Sequence, residues 1–144
     1  VRIVLDTASF VTAIRSSEGA VGKIVRMVFR GELVVLMDHK LGLEYRDVAL
    51  RQKHVEASNL NSEEILSLIE ALEAFAESVN VIDLHRPLSP DPNDDMVLDL
   101  AVNGRADALV TGNTKHFAAA GRRFGIPVLT PAELLKRLRG ELLQ

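Results

Sequence analysis

Apolar and polar positions along this chain follow two rhythms, and they take turns. Short, unbroken apolar runs carry the first. Arg2 to Leu5 is rich in β-branched residues and ends at Asp6, and Leu33-Val34-Val35-Leu36-Met37 is apolar throughout. A run of this kind suits a strand buried on both faces, as in a parallel sheet. Val79 to Leu84, Ala106 to Thr111 and Ile126 to Leu129 read as three further strands. The second rhythm is helical. Phe10, Val11 and Ile14 share one face, and Val21, Ile24, Val25 and Val28 recur at i, i+3, i+4 and i+7 before Gly31. Leu41 to Leu50 reads as a helix carrying Glu44, Arg46 and Asp47.

Arg51 to Asn61 is polar and irregular, a helical turn and loop. Asn61-Ser62-Glu63-Glu64 opens the longest helix, to about Glu77, with acids in its first turn where the helix dipole favours them. His85 to Asn93 holds three of the five prolines and reads as a loop. A helix then starts at Asp94 or Asp95 and runs through Asn103 to Gly104. Gly112-Asn113-Thr114 turns into a short helix bearing His116 and Phe117. Thr130-Pro131 starts the last helix, to about Arg139, with proline at its first position. Strands alternating with helices predict an α/β fold: a three-layer sandwich around a mostly parallel, about five-stranded sheet.

Length changes this picture little, since 144 residues suit one domain with a proper core. The absence of cysteine excludes disulfides, cysteine-based zinc sites and thiol catalysis. No apolar run reaches the roughly 18 residues of a membrane span. The first residues read as a strand and not as a signal peptide, so a cytoplasmic location is expected. A net charge of −3 is unusual for a nucleic-acid binder. A cation held by clustered acids would reverse that field locally.

Ligands of parallel sheets bind beyond the carboxyl ends of the strands, and acids fall there. Asp6 closes the first strand. Glu44 lies in the first turns of the helix after the second. Asp94 and Asp95 open the helix before the fourth, and Asn113 lies just past the end of that strand. Each alone has a plain reading as a helix cap, a turn former or a solvated residue; their shared placement gives the set its force. Gathered carboxylates repel one another, and a hard cation with oxygen ligands, Mg²⁺ or Mn²⁺, resolves the conflict. Such a metal activates water against a phosphodiester.

These residues resemble the PIN-domain family, and within it the VapC-like toxin branch of toxin–antitoxin systems. The resemblance is carried by Val4-Leu5-Asp6-Thr7, Leu43-Glu44-Tyr45, Asp91-Pro92-Asn93-Asp94-Asp95, Leu109-Val110-Thr111-Gly112-Asn113 and Leu129-Thr130-Pro131-Ala132-Glu133, over nearly the whole chain. It implies a metal-dependent ribonuclease holding Mg²⁺ or Mn²⁺. The family's first acid falls on Asp6, the second on Glu44, the third on Asp95 with Asp94 as competitor, and the fourth position on Asn113. Asp6, Asp95 and Glu44 would be the metal ligands. Where the family commonly has Asn after Asp-Thr, this chain has Ala8, for which Ser9 is the candidate substitute. The resemblance also implies a cognate antitoxin and self-association, as a dimer, through helices.

Around the site, Thr7 and Thr111 are candidates to hydrogen-bond a carboxylate or phosphate, or to act as caps. Lys115 and His116 follow Asn113 where a helix N-terminus would face phosphate. Arg15, Lys40, Arg46, Lys53 and His54 are candidates for a surface that tracks the RNA backbone. Five Phe, one Tyr and no Trp supply little base stacking. The main rival is a degenerate PIN-like module that binds RNA or protein without efficient catalysis, marked by Ala8 and Asn113. A phosphoacceptor receiver domain would use Thr111, Lys115 and Asp83, but it normally needs paired acids after the first strand, where Asp6 stands alone.

Overall fold

A computed structural model describes residues 1–82 and 92–143. Among the described residues, five strands and eight helices follow one another: β1 (Arg2–Leu5), α1 (Thr7–Arg15), α2 (Ala20–Phe29), β2 (Val34–Met37), α3 (His39–Ala49), α4 (Gln52–Ala57), α5 (Ser62–Phe75), β3 (Glu77–Ser78), α6 (Pro92–Asn103), β4 (Ala108–Val110), α7 (Thr114–Phe124), β5 (Val128–Leu129) and α8 (Pro131–Leu143). The strands form one sheet in the order β3-β2-β1-β4-β5, and every pairing is parallel. This is the expected α/β sandwich, with a sheet that is wholly parallel.

The central strands are apolar on both faces because both faces are covered. Ile3, Val4, Leu36, Leu109 and Val110 are completely buried, each side chain contributing about 1.5–3 kcal/mol of burial energy. Helix α6 packs on β1, β2 and β4 and against α7, while α1, α2, α3 and α5 pack on one another as the second layer, which α8 joins through α2. Local chemistry sets the ends of the helices. Asn61 and Glu64 form a reciprocal capping box at α5. Helix α7 stops at Gly125, whose φ of 68° is left-handed and favours glycine.

Several predicted boundaries move. The third strand, expected over Val79 to Leu84, is a two-residue edge strand at Glu77–Ser78. Among the described residues Leu36 and Met37 are its partners, and after the Val79 amide bonds to the Met37 carbonyl at 3.0 Å the chain leaves the sheet. Val79 and Val81 spend their apolar surface against the core instead; Asp83 and Leu84 lie outside the described residues. Helix α6 begins at Pro92, not at Asp94 or Asp95, so the predicted loop shortens, and its residues 85–91 lie outside the described residues. Helix α7, expected to be short, extends for 11 residues to Phe124.

The chain runs from β1 outward to β2 and β3 on one side, then resumes at β4 on the other side of β1. The direction of travel therefore reverses between β1 and β4. In parallel sheets a crevice opens at such a reversal, outside the carboxyl ends of the strands.

Candidate active site at the sheet reversal

Asp6 and Thr111 occupy that reversal. Asp6 ends β1 and caps α1: its Oδ1 accepts from the Ser9 amide at 3.0 Å. Its Oδ2 accepts a 2.6 Å hydrogen bond from Thr111 Oγ1, and Thr111 is completely buried beyond β4. The Asp6 amide donates to the Val110 carbonyl, extending the β1–β4 pairing by one residue. Thr111 Oγ1 in turn accepts from the Asn113 amide at 3.0 Å. The carboxylate at the crevice is thus held at both oxygens, by one group from each side of the reversal.

The Ser9 contribution is its backbone N–H. The two bonds to the Asp6 carboxylate come from this amide and from the Thr111 hydroxyl, so any non-proline residue at position 9 supplies the first. Ala8 is exposed on the outside of α1, and Thr7 opens the helix half-buried.

Glu44 sits half-buried in the second turn of α3. Its neighbour Tyr45 is completely buried, stacks on Phe10 with ring centroids 4.5 Å apart, and donates its hydroxyl to the Leu5 carbonyl at 2.5 Å. That carbonyl immediately precedes Asp6, so Tyr45 ties α3 to the end of β1. Burial pushes the Tyr45 phenol above the usual tyrosine range, and the Asp6 charge adds to the effect.

Asp94 and Asp95 both lie in the first turn of α6. Asp95 is 4% exposed. Asp94 is more open and lies 3.5 Å from His116 Nδ1, an ion pair when the imidazole is protonated. His116 and Lys115 are exposed in the first turn of α7, beside the exposed Asn113 that precedes it. Arg15 is at the far end of α1 from Asp6. It lies near His54, whose imidazole is pushed below its usual range by burial and then by the charges of Lys53, Arg15 and Arg51. Arg46 is engaged elsewhere: its guanidinium grips the Glu73 carboxylate of α5 at 2.6 and 2.9 Å.

Among the described residues, no three His, Asp or Glu side chains converge closely enough to form a ready-made metal cluster. The donor chemistry still fits a hard cation. A carboxylate offers about four lone-pair sites, and the Ser9 and Thr111 bonds use one on each Asp6 oxygen. Mg²⁺ characteristically takes one or two carboxylates and fills the rest of its shell with water.

The model of the PIN-domain family matches residues 2–115, which include Asp6, Glu44, Asp95 and Asn113. The chain belongs to the PIN-domain family. Among solved structures, this PIN domain is similar in fold to VapBC2 from Rickettsia felis bound to a DNA fragment from their promoter. That match has a TM-score of 0.60 and 17% identity, covering 90% of this chain and 98% of the other. No curated protein sequence matches it. Among the described residues, no helix is long and apolar enough to cross a membrane.

Two acids of this PIN domain escaped the sequence reading. Asp38 follows β2 as Asp6 follows β1, and caps α3 by accepting from the Leu41 amide at 2.9 Å. The same signal, an acid directly after an apolar run, was there to be read. Asp99 is 1% exposed on α6, one turn beyond Asp95; its i+4 spacing from Asp95 was the available clue.

Proposed function

We propose that this PIN domain is a metal-dependent endoribonuclease and the toxin of a toxin–antitoxin pair. The observation that carries the reading is the Asp6 carboxylate, fixed by the Ser9 amide and the Thr111 hydroxyl at the point where the sheet reverses. A carboxylate held this way is preorganised, so binding a ligand costs it little further ordering. Asp6 and Asp95, with Glu44, would hold Mg²⁺ or Mn²⁺, which when bound supplies an acidified water and charge stabilisation for phosphodiester hydrolysis.

The chain's own residues do the positioning. Thr111 and the Ser9 amide keep Asp6 facing the crevice. Tyr45 braces the end of β1 from beneath, and Glu44, one residue before it, is the group that would orient the attacking water. Asn113, at the start of α7, offers an amide to a phosphate or to water. Lys115 and His116 lie in the first turn of that helix, where phosphate is favoured. Family membership supports a nuclease, and the fold likeness to a VapBC2 complex supports an antitoxin partner and a homo-oligomer.

The second reading is a PIN domain that binds RNA or protein without efficient cleavage. The amide at Asn113, in place of a fourth carboxylate, favours it. Cleavage of a labelled single-stranded RNA in Mg²⁺, in Mn²⁺ and in EDTA separates the two. Metal-dependent cutting that disappears in both Asp6→Asn and Asp95→Asn is the result expected. RNA binding by the wild type with no cutting above the variants would select the binding module.

A further inference from the structure

Beside the candidate active site, a second feature occupies the same edge of the sheet. A cleft of about 390 Å³ opens at the carboxyl ends of β2 and β3, between the start of α3 and α6. Its lining includes Asp38, Lys40, Val79, Asn80, Ile82, Met96 and the buried carboxylate of Asp99. Its volume falls at the low end of the range for small-molecule sites. We propose that this cleft is a subsite for a guanine base of the RNA; its role in cleavage rests on the nuclease reading above.

Placement comes first. Met96 directly follows Asp95 on α6, and Asp38 ends the strand next to the one that Asp6 ends. Neighbouring strands are about 5 Å apart, so the cleft lies within one or two strand spacings of Asp6. A nucleotide flanking the cut bond would reach it.

Chemistry selects the base. Val79, Ile82 and Met96 give the cleft apolar walls against which a flat ring can lie. Ile82 is 80% exposed, a large apolar surface at the mouth. The polar groups differ in sense. Asp38 spends Oδ1 on the Leu41 amide, which leaves Oδ2 as an acceptor for a ligand. Lys40 and Asn80 bring donors. Guanine alone among the four bases presents two adjacent N–H donors, at N1 and N2, together with the acceptors O6 and N7. A carboxylate fits the first pair, and a lysine such as Lys40 fits the second. Adenine and cytosine set a ring-nitrogen acceptor beside their amino group, which repels a carboxylate. Uracil flanks its single N–H with carbonyls. Unpaired bases in single-stranded RNA expose these edges.

The test uses the full chain and the four nucleoside 5′-monophosphates, titrated by NMR against the wild type and Asp38→Asn. Asparagine is also a good N-cap, so the variant keeps α3 and changes the acceptor. The wild type is expected to bind GMP about tenfold tighter than AMP, CMP or UMP, and Asp38→Asn to lose that preference. Ile82→Ser, a second variant, is expected to weaken all four together. Equal affinities in the wild type, or an unchanged GMP preference in Asp38→Asn, would overturn the subsite. A cleavage arm compares single-stranded RNAs carrying guanine or inosine at one position; inosine lacks the N2 amine and is expected to be cut less. Metal-dependent cleavage without base preference, beside equal nucleotide affinities, removes the subsite and leaves the nuclease. Guanine-selective binding without cleavage in any metal removes the nuclease and leaves the cleft's selectivity.

Discussion

Thr111 Oγ1 donates a 2.6 Å hydrogen bond to Asp6 Oδ2 across the β1–β4 reversal, joining residues 105 positions apart in the chain. Both side chains are buried, so neither can exchange the other for water. A hydrogen bond to a charged group is worth about 1.5–3 kcal/mol. Thr111→Val keeps the shape and removes the donor. It is expected to destabilise the protein by about 2 kcal/mol in urea unfolding, with RNA cleavage reduced further than stability explains. Thr111→Ser, which keeps the hydroxyl, is expected to retain most of both. Equal unfolding midpoints for Val and wild type would show that Asp6 does not depend on this bond.

Tyr45 gives a prediction in alkali. Burial, and next the Asp6 charge, hold its phenol above the usual range, from an ordinary value of 10.0. The sign follows from linkage. Above pH 10 the unfolded chain releases this proton while the folded chain keeps it, so its contribution to stability is full below that value and falls as pH rises. Tyr45 is the one tyrosine in the chain, so an ultraviolet titration reads it alone. It is expected to ionise only as the protein unfolds. Tyr45→Phe keeps the stack on Phe10 but leaves the Leu5 carbonyl unpaired, at a cost of about 1–3 kcal/mol near neutrality. Its stability is expected to fall less steeply above pH 10 than that of wild type.

Arg46 and Glu73 make the opposite case. Hydrogen bonds from Arg46 hold the Glu73 carboxyl below its ordinary range, against a smaller opposing effect of burial. The stability this contributes is present above the unfolded value of 4.5 and is lost as pH falls through the lower folded value. About a third of each side chain is exposed, so solvent screening limits the pair to about 0.5–1 kcal/mol. Arg46→Met, Glu73→Gln and the double variant form a cycle. Coupling of that size at pH 7, absent in strong acid and reduced in high salt, is expected. If Arg46 also binds RNA, Arg46→Met weakens RNA binding while Glu73→Gln does not.

Much of this architecture was legible because burial writes itself into short apolar runs. Leu33 to Met37 read as a doubly covered strand, and that is what β2 is. The helix caps were legible too, since Asn61 with Glu64 and Thr130 before Pro131 act locally. What failed was non-local. Val79 to Ile82 has the apolar content of a strand, but among the described residues its sheet neighbour is a short β2, and pairing ends at Ser78. The grouping of Asp6, Glu44, Asp95 and Asn113 was read from the ends of strands and from the family resemblance. The Tyr45 hydroxyl on the Leu5 carbonyl, the Thr111 hydroxyl on Asp6 and the Arg46–Glu73 grip span 40, 105 and 27 residues, and no local pattern announces such pairs.

Gly121 tests how closely α7 sits on β5. A Cβ there would sit 2.6 Å from Val128 Cγ2 and 2.8 Å from the Ile126 carbonyl. The carbonyl belongs to the backbone and cannot swing aside, so α7 must lift from β5. Gly121→Ala is expected to cost about 1–3 kcal/mol in urea unfolding, despite alanine's better helix propensity. RNA cleavage per folded molecule is expected to fall as well, because Thr111 bonds to Leu129, next to Val128, and α7 carries Lys115 and His116 in its first turn. A stability equal to wild type would mean that α7 has room the geometry denies it.

Ala8 is where sequence and structure give different advice. The family commonly has Asn at this position, so Ala8→Asn looks like the way to restore a weakened site. The structure gives a reason to expect little. Ala8 is exposed, and both Asp6 oxygens already have donors, from the Ser9 backbone and from Thr111. An asparagine at position 8 would add a side chain without an orphaned carboxylate oxygen to satisfy. Cleavage by Ala8→Asn is therefore expected to stay within roughly twofold of wild type, about 0.4 kcal/mol in the barrier, and Ser9→Ala to be equally mild. A tenfold gain in Ala8→Asn at saturating metal would mean that the asparagine contacts the RNA or a metal-bound water, and that orienting Asp6 was never its task.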